Sequence, residues 1–275
     1  MNCRYLTKID IPETVKSIGD FAFALCNKLS SIHFPASVTS IGNSAICNCN
    51  NLESIEVESS NPQYVSIDGV LFTKDRSNLI CYPPRKNELV YHIPTGVSII
   101  RCSSFSGCKL TSVIIPPTVT LIEEFAFFRC ENLKSILLPP SVTSIGHSVF
   151  AFCSNLTEIN LSPNVNTIGN SLFSNCVHLE RIRIPSSVTS IEESAFDNCS
   201  CLTSIIIPSS VTSIDSSAFT KCHNLVQIDV ESNNLKYASI DGVLFTKDIK
   251  NVIVYPAKKS NLIYNIPETV ELIHT

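Results

Sequence analysis

The chain has 275 residues, of which 44% are apolar and 16% charged, and its formal net charge is −4. That balance suits a folded core and excludes an intrinsically disordered chain, and the absence of a basic stripe removes nucleic acid from the expected partners. No stretch approaches the ~18 consecutive apolar residues a membrane-spanning helix needs, so none is expected.

The chain opens on Met1-Asn-Cys-Arg-Tyr-Leu-Thr-Lys-Ile-Asp10, which lacks the apolar core of a secretory signal, so no signal peptide is expected there. Cys3, Leu6 and Ile9 instead match the last third of a unit written repeatedly along the sequence. Its fullest statement runs from Pro185 to Ile207, and Pro208 starts it again, a step of 23 residues. Other units start at Pro12, Pro35, Pro94, Pro116, Pro139 and Pro267, and Ser162 stands in the proline's place once.

Each unit carries apolar residues at fixed offsets. Val38, Val119 and Val188 fall three places after the start, Ile41, Ile122 and Ile191 six after, and Phe105, Phe150 and Phe196 eleven after. A Cys, a Leu three later and an Ile or Val three after that complete the unit. A short unit of this kind cannot bury its own apolar face, so the pattern predicts a solenoid in which each apolar residue stacks on its equivalent in the next coil. Paired coils sit ~4.8 Å apart, and each position then becomes a column of like side chains.

Within a unit, Ser-Val-Thr-Ser-Ile alternates polar and apolar residues and predicts one strand. Ala-Phe-x-x-Cys predicts a turn or a single helical turn. Leu-x-x-Ile-x-Ile predicts a second strand, ended by the next proline, which has no N–H for a ladder. The position after the repeat Ile holds Gly19, Gly42, Gly146 and Gly169 but also Arg101, Glu123, Glu192 and Asp215. That mixture argues against an obligatory positive φ there.

Twice the step stretches to 59 residues, from Pro35 to Pro94 and from Pro208 to Pro267. The two insertions are near copies, since Ser66 to Asp75 equals Ser239 to Asp248 residue for residue. Asp68-Gly69 and Asp241-Gly242, set between β-rich runs, predict tight hairpins. Each insertion therefore reads as a three-stranded meander attached to the solenoid, at about 58–92 and 231–265. Arg85-Lys86 and Lys258-Lys259 read as solvated turn residues. Pro267 begins a last unit that stops at Thr275 before its Phe. Both ends thus fall inside coils, as in a piece of a longer array, and 1–275 is expected to form one solenoid domain.

Thirteen cysteines are present, nine of them (Cys3, Cys26, Cys49, Cys108, Cys130, Cys153, Cys176, Cys199 and Cys222) in one column. Stacked cysteines point the same way and suit a disulfide poorly, so the column predicts buried free thiols. Cys47, Cys81, Cys102 and Cys201 lie outside it. Cys47-x-Cys49 and Cys199-x-Cys201 lack zinc spacing, the six histidines form no ligand set, and no metal or cofactor is expected. Cys222-His223 and Cys176-Val-His178 could be forced into a nucleophile–base dyad, but a thiol buried in the column resists ionisation. No catalytic residue is assigned. Asn155-Leu-Thr157 and Asn198-Cys-Ser200 are glycosylation sequons.

The unit Pro-x-Ser-Val-Thr-Ser-Ile-Gly-x-x-Ala-Phe-x-x-Cys-x-x-Leu-x-x-Ile resembles the BspA-type leucine-rich repeat over essentially the whole chain. The resemblance implies a right-handed, β-rich leucine-rich-repeat solenoid of about ten coils with two β-hairpin islands. It also implies a non-enzymatic protein-binding module, adhesin-like at a cell surface in some members. An intracellular scaffold is the alternative, favoured by the missing signal peptide and the thiol column. Strand alternation turns outward the residue two before each proline. That row includes His33, Ile114, Leu137, Asn160, Arg183 and Ile206, the candidate protein-contact face, with Phe128 close by if the turn leans that way. Plain packing at the sheet surface is the other reading of these residues.

Overall fold

The computed structural model describes residues 3–260 and 263–274, and among them the regular elements are all strands. The Leu-x-x-Ile-x-Ile segments form strands such as Ser31–Phe34, Ser112–Ile114, Ser135–Leu137 and Ser204–Ile207. They pair in parallel with the same segment of the next coil: Ile32 lies opposite Ile55, Ile136 opposite Ile159, and Ile205 opposite Ile228. The repeat Ile closes a second, shorter strand in each coil, and Ser190–Ile191 stacks between Thr167–Ile168 and Ser213–Ile214. About 11 coils follow one another at about 23 residues per coil.

The third side of each coil is the Ala-Phe-x-x-Cys turn, which is not helical. Its alternate N–H groups leave the coil. Phe105 donates to Ala126 O, Phe127 to Val149 O, Phe150 to Leu172 O and Phe173 to Ala195 O, at 2.8–3.1 Å. The N–H groups between them fold back within the turn, as Ala126 does to Glu123 O and Cys130 to Phe127 O. This alternation is built from left-handed residues two places either side of the Phe: Ser103 and Gly107, Phe125 and Arg129, Ser148 and Phe152, Ser171 and Asn175. A non-glycine residue in that region costs roughly 1–2 kcal/mol. The inter-coil hydrogen bond that each such N–H makes, and the buried ring between, offset it. Gly19, Gly42, Gly146 and Gly169 are not among the positive-φ residues. At Gly146 the reason for glycine is room, because a Cβ would lie 2.5 Å from Glu124 N.

The core is a set of ladders. The Phe rings from Phe105 through Phe219 stack with centroids 4.9–5.8 Å apart and planes within 17° of parallel. Column thiols donate to the carbonyl of the Phe one coil back: Cys130 to Phe105 O at 3.0 Å, Cys176 to Phe150 O at 3.1 Å, Cys222 to Phe196 O at 3.1 Å. Cysteine fits because it is small, apolar and carries one weak donor. In three coils the serine or threonine before the repeat Val makes a third ladder, while the Ser37 and Ser141 hydroxyls find no partner among the described residues. Thr118, Ser187 and Ser210 donate to Val97 O, Val165 O and Val188 O. Where Asn164 displaces that serine, Ser162 supplies the hydroxyl to Val142 O from two places earlier, which accounts for its standing in the proline's position.

The insertions differ from the expected attached meander. Tyr64–Ile67, Val70–Thr73 and Asn78–Cys81 do form an antiparallel meander. Its third strand, however, also pairs in parallel with Ile99–Ile100, placing Leu79 in the repeat-Ile column. Tyr82 stacks on Phe105 at 5.4 Å and its carbonyl accepts from Cys108, so it stands in the Phe column. Tyr91 then pairs with Val113. The second half of the insertion thus re-forms a coil, and about 11 coils replace the ten expected. The second insertion repeats the arrangement with Asn251–Val254 against Leu272–Ile273; Asn261 and Leu262, inside the expected 231–265 island, lie outside the described residues.

Both Asp-Gly turns have positive φ at both residues, the hairpin geometry expected. The hairpin tip docks on the preceding coil, where Ile55 N–H donates to Gly69 O and Ile228 N–H to Gly242 O. The basic pairs are not simply solvated. Lys86, only 14% exposed, donates to Asp68 O at 2.7 Å, and Lys259 holds Asp241 O in the same way. Asn61 and Asn234 are fully buried. The Asn61 amide donates to Pro35 O and Val38 O and accepts from Gln63 and Tyr64 N–H, all at 2.9 Å. Asn234 makes the same four bonds one island later. Each amide closes the Val-carbonyl ladder at its island.

Candidate functional site

The outward row lies where alternation places it. Val113, Ile115, Ile136 and Leu138 are buried, while Ile114, Leu137 and Ile206 are 48%, 66% and 59% exposed. Asn160 and Arg183 are exposed in the same row. Leu137 is in register with Asn160, and Ile159 with Ile182, so Arg183 follows beside Asn160. Leu137, Asn160 and Arg183 therefore lie along one ladder, and Ile114 and Ile206 hold the same outward position on the ladders that flank it. His33 does not join them. It pairs with Glu56 on a separate two-stranded ladder, and the docked Asp68-Gly69 tip stands between that ladder and the next coil.

Arg183 makes no ion pair among the described residues and borders a cleft of about 360 Å³ with Asn160, Pro163, Pro185 and Pro208. Phe128 does not lean toward Ile114. Its ring meets Phe125 at 5.7 Å and Phe152 at 5.4 Å on the turn side, with the Arg129 guanidinium 5.5 Å from the Phe128 and Phe152 rings. Phe125 and Phe152 are exposed, so the turn side carries an apolar patch. They occupy the left-handed positions, whose outward direction periodicity alone does not reveal.

The cysteines are free, and eight of the column, all but the half-buried Cys3, are buried. Burial pushes Cys130, Cys176 and Cys222 up to about 12, against an ordinary value near 9. In the two Cys–His pairs the thiols are engaged elsewhere. The Cys222 thiol donates to Phe196 O, the Cys176 thiol to Phe150 O, and His178 Nδ1 is engaged with Ser154 O. The sequon amides are also in use, Asn155 Nδ2 donating to Glu131 O and Asn198 Nδ2 to Asn175 Oδ1. No group of three potential metal ligands occurs among the described residues, and no helix is long and apolar enough to cross a membrane.

Thiol burial has a pH signature. The folded chain keeps protons that unfolded thiols release, so this stabilisation is complete below pH 9 and is lost as pH rises from about 9 toward 12. The thermal midpoint should fall through that window, and replacing Cys176 by Ala should flatten the fall. Under native conditions near pH 8, a small alkylating reagent should spare the eight buried column thiols and label them after denaturation. Native labelling of most of them would contradict the packing described.

A coiled stack of short parallel strands with Leu, Ile, Phe and Cys columns defines a leucine-rich-repeat solenoid. The BspA type Leucine rich repeat region model matches residues 1–83, 89–203 and 168–261, in 6 copies, and the chain belongs to that family. Among solved structures, a leucine-rich repeat protein from Eubacterium ventriosum superposes with a TM-score of 0.80 at 27% identity, covering 95% of this chain and 66% of that one. A leucine rich cell surface protein from Faecalibacterium prausnitzii gives 0.60 at 32% identity over 81% of this chain and 59% of that one. The pneumococcal vaccine antigen PcpA, at 23% identity and 0.57 over 95% and 55% of the two chains, shares the fold. The chain thus spans less than two thirds of the length of these relatives. No curated protein matches it.

Proposed function

We propose that this chain is a non-enzymatic protein-binding module whose contact face is the outward row centred on Ile114, Leu137, Asn160, Arg183 and Ile206. One observation carries the reading: apolar side chains stand exposed at the equivalent position of several coils, between neighbouring positions that are buried. Such residues add nothing to the core, and contacts desolvated at an interface centre carry most binding energy. The unpaired Arg183 beside its cleft supplies the polar anchor such faces use. Display at a cell surface, in the manner of an adhesin, is supported by the cell surface relative from Faecalibacterium prausnitzii. An intracellular scaffold is the second reading, and the buried free thiols favour it, since reduced cysteines suit a reducing compartment. In either setting 1–275 acts as one solenoid domain.

The test is the double variant Ile114→Ser with Leu137→Ser, assayed by pull-down against host-matrix proteins and against cell lysate. Capture of a partner seen with the parent chain should fall at least tenfold while the thermal midpoint stays put. Undiminished capture would move the contact surface elsewhere, with the Phe125–Phe152 patch the next to vary.

A further inference from the structure

Three of the four cysteines outside the column, Cys47, Cys81 and Cys102, line one cavity of about 150 Å³ at the first island. The cavity exists because the re-formed coil has a short turn side. Tyr82-Pro83 passes in place of a full turn, and turns 43–48 and 101–107 meet directly across the gap. They meet through side chains: Ser44 Oγ donates to Ser103 Oγ at 2.9 Å, Arg101 to Asn43 Oδ1 at 3.0 Å, and Ser106 Oγ to Asn48 Oδ1 at 3.0 Å. Elsewhere in the stack the turn sides are joined by backbone hydrogen bonds. The 101–107 turn is tied to the re-formed coil by Tyr82 N–H to Ser104 O and Arg101 N–H to Leu79 O, so its direct contacts with turn 43–48 are side-chain ones.

Cys47 belongs to one of the facing turns and Cys102 to the other. Ser44 Oγ lies 3.3 Å from Cys102 Sγ, and Cys47 N–H donates to Ser44 O at 3.1 Å, so both cysteines flank one serine. The two cysteines thus line one cavity from facing turns, whereas column neighbours stack along the same side of the coil. Cys102 is half-buried, while Cys47 and Cys81 are buried.

We propose that Cys47 and Cys102 form a reversible, redox-sensitive site that closes into a disulfide across the seam. The oxidant is a small disulfide such as oxidised glutathione. The Cys102 thiolate attacks one glutathione sulfur, forming a mixed disulfide and releasing the first glutathione thiolate. The Cys47 thiolate then attacks Cys102 Sγ and expels the second. Two protein thiols lose two protons and two electrons, and one glutathione disulfide becomes two molecules of reduced glutathione. Cys102 reacts first because it is the more accessible sulfur, and Cys47, its thiol pushed above the ordinary value by burial, resolves from the facing wall of the same cavity.

The full chain, purified reduced, is incubated with oxidised glutathione near pH 8 and read by intact mass and non-reducing peptide mapping. The expected product has lost two hydrogens, carries no glutathione, and yields a Cys47–Cys102 linked peptide that dithiothreitol removes. Cys47→Ser should stop at a glutathione adduct on Cys102, and Cys102→Ser should not react at this site. Cys201→Ser, outside the seam, should behave like the parent. A stable adduct on Cys102 in the parent chain, a different linkage, or no change would each overturn the proposal. Near-ultraviolet circular dichroism on each variant shows whether it is folded. Should a serine variant be unfolded, the linked peptide in the parent chain decides alone.

Discussion

Phe150→Ala, Phe173→Ala and Phe196→Ala should each lose about 3–5 kcal/mol in urea unfolding. Each removes a fully buried ring that stacks on a ring above and a ring below, at 5.3–5.8 Å, so no neighbour can collapse into the space without leaving its own column. The loss should be similar at all three, because a solenoid's stability sums over equivalent coils and their interfaces. The adjacent pair Phe173→Ala with Phe196→Ala should cost measurably less or more than the sum of the singles, since both line one cavity. Phe152→Ala, an exposed ring on the turn side, should cost within about 1 kcal/mol. Equal losses at Phe150 and Phe152 would contradict the stacking.

Asn61→Ala and Asn234→Ala should be nearly as damaging, at roughly 2–4 kcal/mol each. Each amide uses both donors and its acceptor oxygen on four backbone groups, and water has no path to replace it at a fully buried site. Asn61→Asp is the sharper variant. It keeps the shape but sets an acceptor against Pro35 O and Val38 O, so it should be destabilised more at pH 7 than at pH 4, where the carboxyl can hold a proton. An alanine variant within about 0.5 kcal/mol of the parent would show that the islands do not depend on these amides.

The solenoid was legible in the sequence because a stacked coil favours like residues at each buried site, and Pro, Val, Ile, Phe, Cys and Leu recur at fixed offsets. Strand register followed from alternation, which put Ile114 and Leu137 outside. Three things were hidden. Left-handed positions such as Phe125, Arg129 and Ser148 carry no glycine, so nothing in the residue types marks them, and the direction of the turn aromatics was lost with them. The re-formed coil in each island uses residues such as Leu79 and Tyr82 where the repeat has Ile and Phe, and lacks the opening proline, so the match falls below notice. Asn61, Asn234 and Lys86 act through single carbonyls of other coils, a relation that spacing does not express; only their recurrence in both insertions pointed to them. Of the candidate face, the row was legible, but its interruption after His33 and Glu56 depended on where the Asp68-Gly69 tip docks.

The most direct measurement compares two double variants shifted by one residue. Val113→Ser with Ile136→Ser places two hydroxyls in the buried columns, and Ile114→Ser with Leu137→Ser places them on the outward face. The first pair should lose several kcal/mol, at roughly 2–4 per site, and the second should stay within about 1 kcal/mol of the parent in the same urea titration. Equal destabilisation, or the reverse order, would shift the register by one residue and take the contact face off the surface.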